Sequence, residues 1–325
     1  MEFHEDEFIK MKKSLGNIIN PTPIQSSRTF GEMAESEVYL KPECLQKNGS
    51  FKIRGAFAAL SSLSAEMKAR GIITSSGGNW AQGVGYCCQQ LGIKALIVMP
   101  EHVSRTKYEA TVGYGAEVLL YGSSSVELFQ KVKELSQEKQ MTWVHAFAEP
   151  AVSTLHSTLL GYGSIGLEIL EEEPNIDIII VPVGGGALIS GITLAVKQIN
   201  PDLRVIGVQS EGASAMYTSL KEGRVVEIDK VQTIAEGISV KRPGEETFLI
   251  IQKYVDEIVL VTEDEIKKAL ILLLERAKLL VEPSGAAPLA AVLNRKIKNL
   301  APDSRVAVVL SGGNVDLPVL KKLLP

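Results

Sequence analysis

DIIIVPVGGGALISG, residues 177–191, decides the fold class. From Asp177 to Val183 the run is almost wholly apolar, with no polar alternation, which marks a strand covered on both faces. Gly184, Gly185 and Gly186 stop it, and helical spacing resumes over 188–198. The same unit recurs outward. KALIVM (94–99) and EVLLY (117–121) read as buried strands, the first followed by a helix from about Ser104 and the second by a helix over 125–139. Residues 204–209 and 305–310 repeat the strand pattern, and Thr262 to Glu265 form a capping box that opens a helix running towards Leu280. Continuous apolar strands alternating with helices predict an α/β protein with doubly wound, mainly parallel open sheets. Ligands of such sheets lie beyond the carboxyl ends of the strands, where strands run into glycine-rich turns.

The 325 residues carry 34 basic and 38 acidic side chains, a net charge of −4, with 45% hydrophobic and 22% charged residues. That is a globular balance. The length permits two domains and a core that needs no disulfide or metal staple. A slight excess of acid offers nothing to nucleic acid or to an anionic membrane surface. Cys44, Cys87 and Cys88 have neither disulfide-framework nor metal-ligand spacing. Residues 1–13 mix acids and bases without an apolar segment, and no run approaches the ~20 residues of a membrane span. A cytoplasmic protein with no membrane or nucleic-acid partner is expected. No linker rich in Pro, Gly or Ser divides the chain, so two lobes would have to arise from the chain crossing between them.

Three strand-ending turns are glycine-rich: Ser75-Ser76-Gly77-Gly78-Asn79, Gly184-Gly185-Gly186-Ala187 and Ser311-Gly312-Gly313-Asn314. Glycines let backbone N–H groups approach a ligand, and a helix N-terminus adds partial positive charge; together these hold phosphate or carboxylate. Each run also serves simply as a tight turn, but three in one α/β chain favour an anionic ligand. Gly161-Tyr162-Gly163-Ser164-Ile165-Gly166 has the dinucleotide spacing, yet no clean strand precedes it and no acidic residue follows about 20 positions on. The Gly184 turn lacks the Lys-Ser/Thr ending of a P-loop, so a small phosphorylated cofactor fits better. Lys52, between Phe51 and Ile53 at the start of a helical run, is the remaining candidate. Burial among apolar neighbours lowers a lysine's pKa and suits Schiff-base chemistry.

The segments KPECLQKNGSFKIRGA (41–56), SSGGNWAQGV (75–84), VPVGGGALISG (181–191), TIAEGISVKRPGEETF (233–248), EPSGAA (282–287) and LSGGNVD (310–316) follow in this order over nearly the whole chain. Together they resemble the fold-type II pyridoxal-phosphate enzymes, in the threonine/serine dehydratase and serine racemase branch. The resemblance implies a tryptophan synthase β-like fold of two open-sheet lobes. A large cofactor-binding domain (1–70 and 153–325) would receive a small domain (71–152) as an insertion, with pyridoxal 5′-phosphate in the cleft. It implies that Lys52 binds the cofactor covalently and then acts as the base at Cα, with Phe51 beside the ring. Gly184, Gly185, Gly186 and Ala187 would cradle the phosphate, Asn79 would reach the phenolic oxygen, and Ser311 would face the pyridine nitrogen with Glu282 in support. Ser76, Gly77, Gly78 and Asn79, with the N–H of Trp80, would hold the substrate carboxylate.

The implied reaction is β-elimination of water from L-threonine, L-serine or a related β-hydroxy amino acid such as a β-aryl serine, giving a 2-oxo acid and ammonia. The sequence also departs from the family pattern. Trp80 stands where His is usual, and Gly77 where a racemase carries a second, serine base. Asn48 replaces Thr, Ala187 replaces a fourth Gly, and Tyr162 replaces Gln. With the longer stretch 152–160, Trp80 and Tyr162 are expected to border the substrate pocket. Relatives bind a cation after the strand 204–209; here Gln209 and Ala215 replace two acids and leave Glu211, so no metal site is expected. The chain ends at Pro325, which leads to the expectation of a catalytic unit without a regulatory domain, and the resemblance suggests a homo-oligomer. β-Replacement or synthase chemistry, racemisation, a non-catalytic cofactor-binding protein and a nucleotide-binding oxidoreductase remain as alternatives.

Overall fold

The computed structural model describes residues 2–147 and 153–324. Ten strands form two sheets. The larger runs β1 (Gln25–Ser26), β2 (Glu37–Lys41), β10 (Arg305–Val309), β7 (Ile178–Pro182), β8 (Arg204–Ser210) and β9 (Glu257–Val261). Only the β1–β2 pair is antiparallel, with Gln25 opposite Leu40. The smaller sheet runs β5 (Glu117–Leu120), β4 (Ala95–Met99), β3 (Ile72–Ser75) and β6 (Thr142–Trp143), all parallel. Its strands fall between β2 and β7 in the chain, so a second open sheet interrupts the first. The domain boundary expected at 152 and the start of the 152–160 stretch lie outside the described residues.

Both sheets are buried on both faces, as unbroken apolar strands require. In β7, Ile179 packs into one cluster with Leu159, Ile165 and Ile192, while Ile178 and Ile180 pack into another with Leu289, Ala290 and Val306. The small sheet does the same: Ile72 and Ile97 face Ala81 and Val84 on one side, and Ile73, Leu96 and Val98 face Leu128 and Val132 on the other.

The strands expected at 71–74, 94–99, 117–121, 177–183, 204–209 and 305–310 appear within a residue of those bounds, but β1, β2, β6 and β9 were not anticipated. The capping box at Thr262 is present and opens the helix Glu263–Leu272. That helix does not run on regularly to Leu280: it passes into a π turn over Leu273–Ala277 and stops at Lys278, whose φ is +60°. The Gly161 motif sits inside the helix Leu155–Glu172. Its glycines serve packing: a Cβ at Gly161 would stand 2.5 Å from the carbonyl oxygen of Arg54, and one at Gly163 would meet the Phe8 ring at 2.4 Å.

Candidate active site

Glycine turns of both sheets converge on one cavity of about 360 Å³ between them. The end of β3 delivers Ser75 to Trp80, the end of β7 delivers Pro182 and then Gly184 to Ala187, and β10 leads to Ser311. Each turn opens beyond a strand's carboxyl end, where the topology places ligands.

Lys52 is the first residue of the helix Lys52–Ser61. The entry to that helix is held by backbone: Phe51 N donates to the Ser311 carbonyl at 3.0 Å, and Ser50 bridges Gly312. The Lys52 ammonium lies 4.5 Å from the centroid of the Phe51 ring and has no hydrogen bond among the described residues. Burial drives its pKa down from 10.5 to about 8, with the nearby Glu282 carboxylate opposing the change. A buried amine without a partner, in a cavity and near neutrality, is the state a covalent cofactor lysine needs.

Across the cavity, Gly186 has φ +97°, and the helix Ala187–Ile199 begins directly after it. A Cβ at Gly186 would meet Ile251, Met216 and Thr247 at 2.9 Å, and one at Gly185 would press on the Phe147 ring at 2.5 Å. Thr247 Oγ1 donates to the Gly185 carbonyl at 2.6 Å, fixing the turn. A fixed glycine turn at a helix N-terminus is a phosphate cradle. The cradle and the free amine sharing one cavity fit a phosphorylated aldehyde cofactor.

The Ser75–Asn79 turn brings its asparagine against Glu282 and Asn314. Asn79 Nδ2 donates to both Glu282 oxygens, at 2.9 and 3.0 Å, while Asn79 Oδ1 accepts from Asn314 Nδ2 at 2.8 Å. The amide is therefore committed to Glu282, whose pKa is raised by burial against the lowering effect of Asn79. Ser76, Gly77, Gly78, Asn79, Trp80, Glu282 and Ser311 all line the cavity. Gly78 N donates to Ser76 Oγ at 3.1 Å, which shapes the loop.

Of the two aromatic residues expected at the substrate wall, Trp80 lines the cavity and Tyr162 does not. The Trp80 indole packs into the core of the small sheet, with Nε1 donating to Thr74 Oγ1 at 3.0 Å, while the residue still lines the cavity. Tyr162 is wholly buried and lies behind Phe51, ring centroids 4.9 Å apart, away from the cavity lining. Both rings are amphipathic bodies that found a core position before a cavity one.

Sequence reasoning also missed two lining residues. His145 follows β6, and burial first, then the Lys52 charge, lowers its pKa to about 4, so it is neutral at physiological pH. Lys107, in the helix Arg105–Gly113, reaches across the cleft to Glu236 at 2.7 Å, with Asp316 at 4.0 Å. Lone side chains far apart in sequence carry no local signal. Near the end of β8, Gln209 Nε2 donates to the Val183 carbonyl at 3.1 Å and Gln209 Oε1 accepts from Tyr217 N at 2.8 Å. Its amide thus bridges β7 and the following helix. No group of three or more His, Cys, Asp or Glu among the described residues could hold a metal.

The model of the family described as "pyridoxal-phosphate dependent enzyme" matches residues 15–312. The chain is 41% identical over 320 residues to an L-threonine ammonia-lyase of Thermotoga maritima, covering 98% of this chain and 77% of that protein. It is 41% identical over 312 residues to the catabolic L-threonine dehydratase of Escherichia coli K12, covering 96% and 93%. Among solved structures, maize serine racemase superposes with a TM-score of 0.92 at 32% identity, covering 98% of this chain and 95% of that one.

Proposed function

The chain belongs to the pyridoxal-phosphate dependent enzyme family and is an ammonia-lyase of it, and from that premise we propose that it dehydrates and deaminates L-threonine, with L-serine as a second substrate. The observation that carries this reading is the unpaired Lys52 amine, buried in one cavity with the Gly184–Gly186 turn. Bound there, pyridoxal phosphate supplies the electron sink that makes an amino acid's Cα proton acidic and lets the β-hydroxyl leave.

The residues of the chain do the rest. Gly184, Gly185, Gly186 and Ala187 bind phosphate through backbone N–H groups. Phe51 packs beside Lys52, and the Ser311 hydroxyl serves the ring nitrogen. The Ser76–Trp80 loop orients the substrate carboxylate, with Asn79 set by Glu282. Lys52 Nζ, neutral in a useful fraction at a pKa of about 8, takes the Cα proton. Water lost at Cβ is balanced by water consumed when the released enamine hydrolyses, so threonine yields a 2-oxo acid and ammonia. Gly77 carries no hydroxyl, and a Cβ there would already crowd Pro100 at 3.1 Å, which disfavours a second base and racemisation. The comparisons favour threonine; with Trp80 and Tyr162 turned into the core, nothing in their placement argues for a β-aryl substrate.

A panel of L-threonine, L-serine and phenylserine, followed by oxo-acid formation without an added nucleophile, tests this. Threonine should be the preferred substrate. Turnover that requires an added nucleophile would move the chain to β-replacement, and a racemised product to racemisation.

A further inference from the structure

We propose that Arg54 is the positioning residue for Lys52: its guanidinium, forked between two carboxylates, fixes the helix turn that presents the amine. The proposal rests on the reading of Lys52 given above. The helix Lys52–Ser61 begins at Phe51 with no side-chain cap. Lys52 Nζ itself is held by no hydrogen bond among the described residues, so its place must be set through its own backbone.

Arg54 supplies that constraint two residues on. Arg54 Nε and Nη2 donate to Glu43 Oε2 and Oε1, each at 2.8 Å. Arg54 Nη1 and Nη2 donate to Glu168 Oε1 and Oε2 at 2.6 and 2.8 Å. Ser164 Oγ accepts from Nη1 at 3.0 Å, and Thr22 Oγ1 from Nη2 at 3.3 Å. A planar group gripped on two edges cannot rotate or slide, and Lys, a point charge, could not replace it. The anchors are fixed in turn. Thr22 Oγ1 donates to Glu43 at 2.6 Å, and Lys41 pairs with Glu168 at 2.7 Å. Glu43 follows β2 and Glu168 belongs to the helix Leu155–Glu172, so the first turn of the lysine helix is indexed to the large sheet and to its neighbouring helix. The helices leave no slack: a Cβ at Gly55 would sit 2.4 Å from the Tyr162 ring.

The test compares holoenzyme variants Arg54→Lys, Glu43→Gln and, as a control, Thr142→Val. Thr142 is also buried and hydrogen-bonded, its Oγ1 donating to the Met67 carbonyl at 2.9 Å, but it stands on β6 of the small sheet and outside the Arg54 network. Measured are kcat, KM, thermal stability and the visible circular dichroism of the bound cofactor, which reads the orientation of its lysine attachment. Arg54→Lys should lower kcat about 100-fold, the cost of roughly 1 Å of misplacement, with KM changed less than about threefold and an altered dichroic band. Glu43→Gln, which keeps one fork intact, should alter the band in the same sense by less. Thr142→Val should lose thermal stability and keep both band and kcat. Activity losses that merely track melting temperature in all three variants, with the band unchanged, would overturn the proposal. If Arg54→Lys fails to fold, an unchanged band in folded Glu43→Gln overturns it equally. A wild-type protein that shows no visible band with pyridoxal phosphate would overturn the reading of Lys52 and this proposal together.

Discussion

Replacing Lys52 by Met should make the cofactor-free protein more stable while abolishing its chemistry. The Lys52 side chain is half-buried by area, its amine desolvated in the cavity with no hydrogen-bond partner among the described residues, and its pKa is about 8 in the fold against 10.5 for a free lysine. At 1.36 kcal/mol per pKa unit, that gap is ~3 kcal/mol. Below about pH 8 the ammonium is charged in both folded and unfolded chains, and the fold bears the full penalty of desolvating it. Between pH 8 and 10.5 the folded chain gives up the proton first, so the penalty fades as pH rises. Methionine has a similar shape and no charge, and it fits beside Phe51 and Tyr162. Urea unfolding of the cofactor-free proteins should therefore show Lys52→Met more stable by ~3 kcal/mol at pH 7, with the difference shrinking towards zero above pH 10.5. A variant no more stable than wild type at pH 7, or a difference that does not depend on pH, would refute the claim that the lysine is held desolvated and unpaired.

Gly186→Ala combines a φ of +97° with three contacts at 2.9 Å, so it should cost roughly 2–4 kcal/mol and weaken cofactor binding. Gly113→Ala, which meets nothing within 4 Å at the end of its helix, should be neutral or stabilising in the same unfolding assay. Gln209→Glu sets a carboxylate oxygen against the Val183 carbonyl in a fully buried place; a loss of ~1–3 kcal/mol at neutral pH is expected, and chemical denaturation at fixed pH reads it. Lys107→Met breaks a cross-cleft pair whose Glu236 partner is 68% exposed, so KM should rise by no more than about fivefold. Kinetics of the wild type in ~0.5 M salt should mimic that change; a far larger rise would mean that Lys107 itself touches substrate.

What the sequence made legible was whatever the chain keeps local. Six apolar residues ending in three glycines specify a strand, a turn and a helix start within one window. The three turns and the lysine flanked by Phe51 and Ile53 could be picked out for the same reason. β2 escaped because EVYLK is short and ends in charge, and only the structure shows Lys41 paired with Glu168 from 127 positions away. Trp80 and Tyr162 were assigned to a substrate wall because both depart from the family pattern. Their direction is set by Thr74 and Phe51, partners that spacing alone does not reveal. Glu282 was given only a supporting place, and the fold alone shows that it holds the Asn79 amide across 203 positions. His145 and Lys107 were missed because a single ionisable residue has no periodicity to mark it.

The central claim is that Lys52 carries an ammonia-lyase reaction on pyridoxal phosphate, and one assay reaches it directly. The protein loaded with cofactor is given L-threonine, and 2-oxo acid and ammonia are counted for the wild type and for Lys52→Ala. The account predicts equimolar oxo acid and ammonia from the wild type, and loss of both products together with the visible lysine-bound cofactor band in the variant. Full turnover by Lys52→Ala, or a wild type that binds the cofactor yet turns over no hydroxy amino acid, would contradict it.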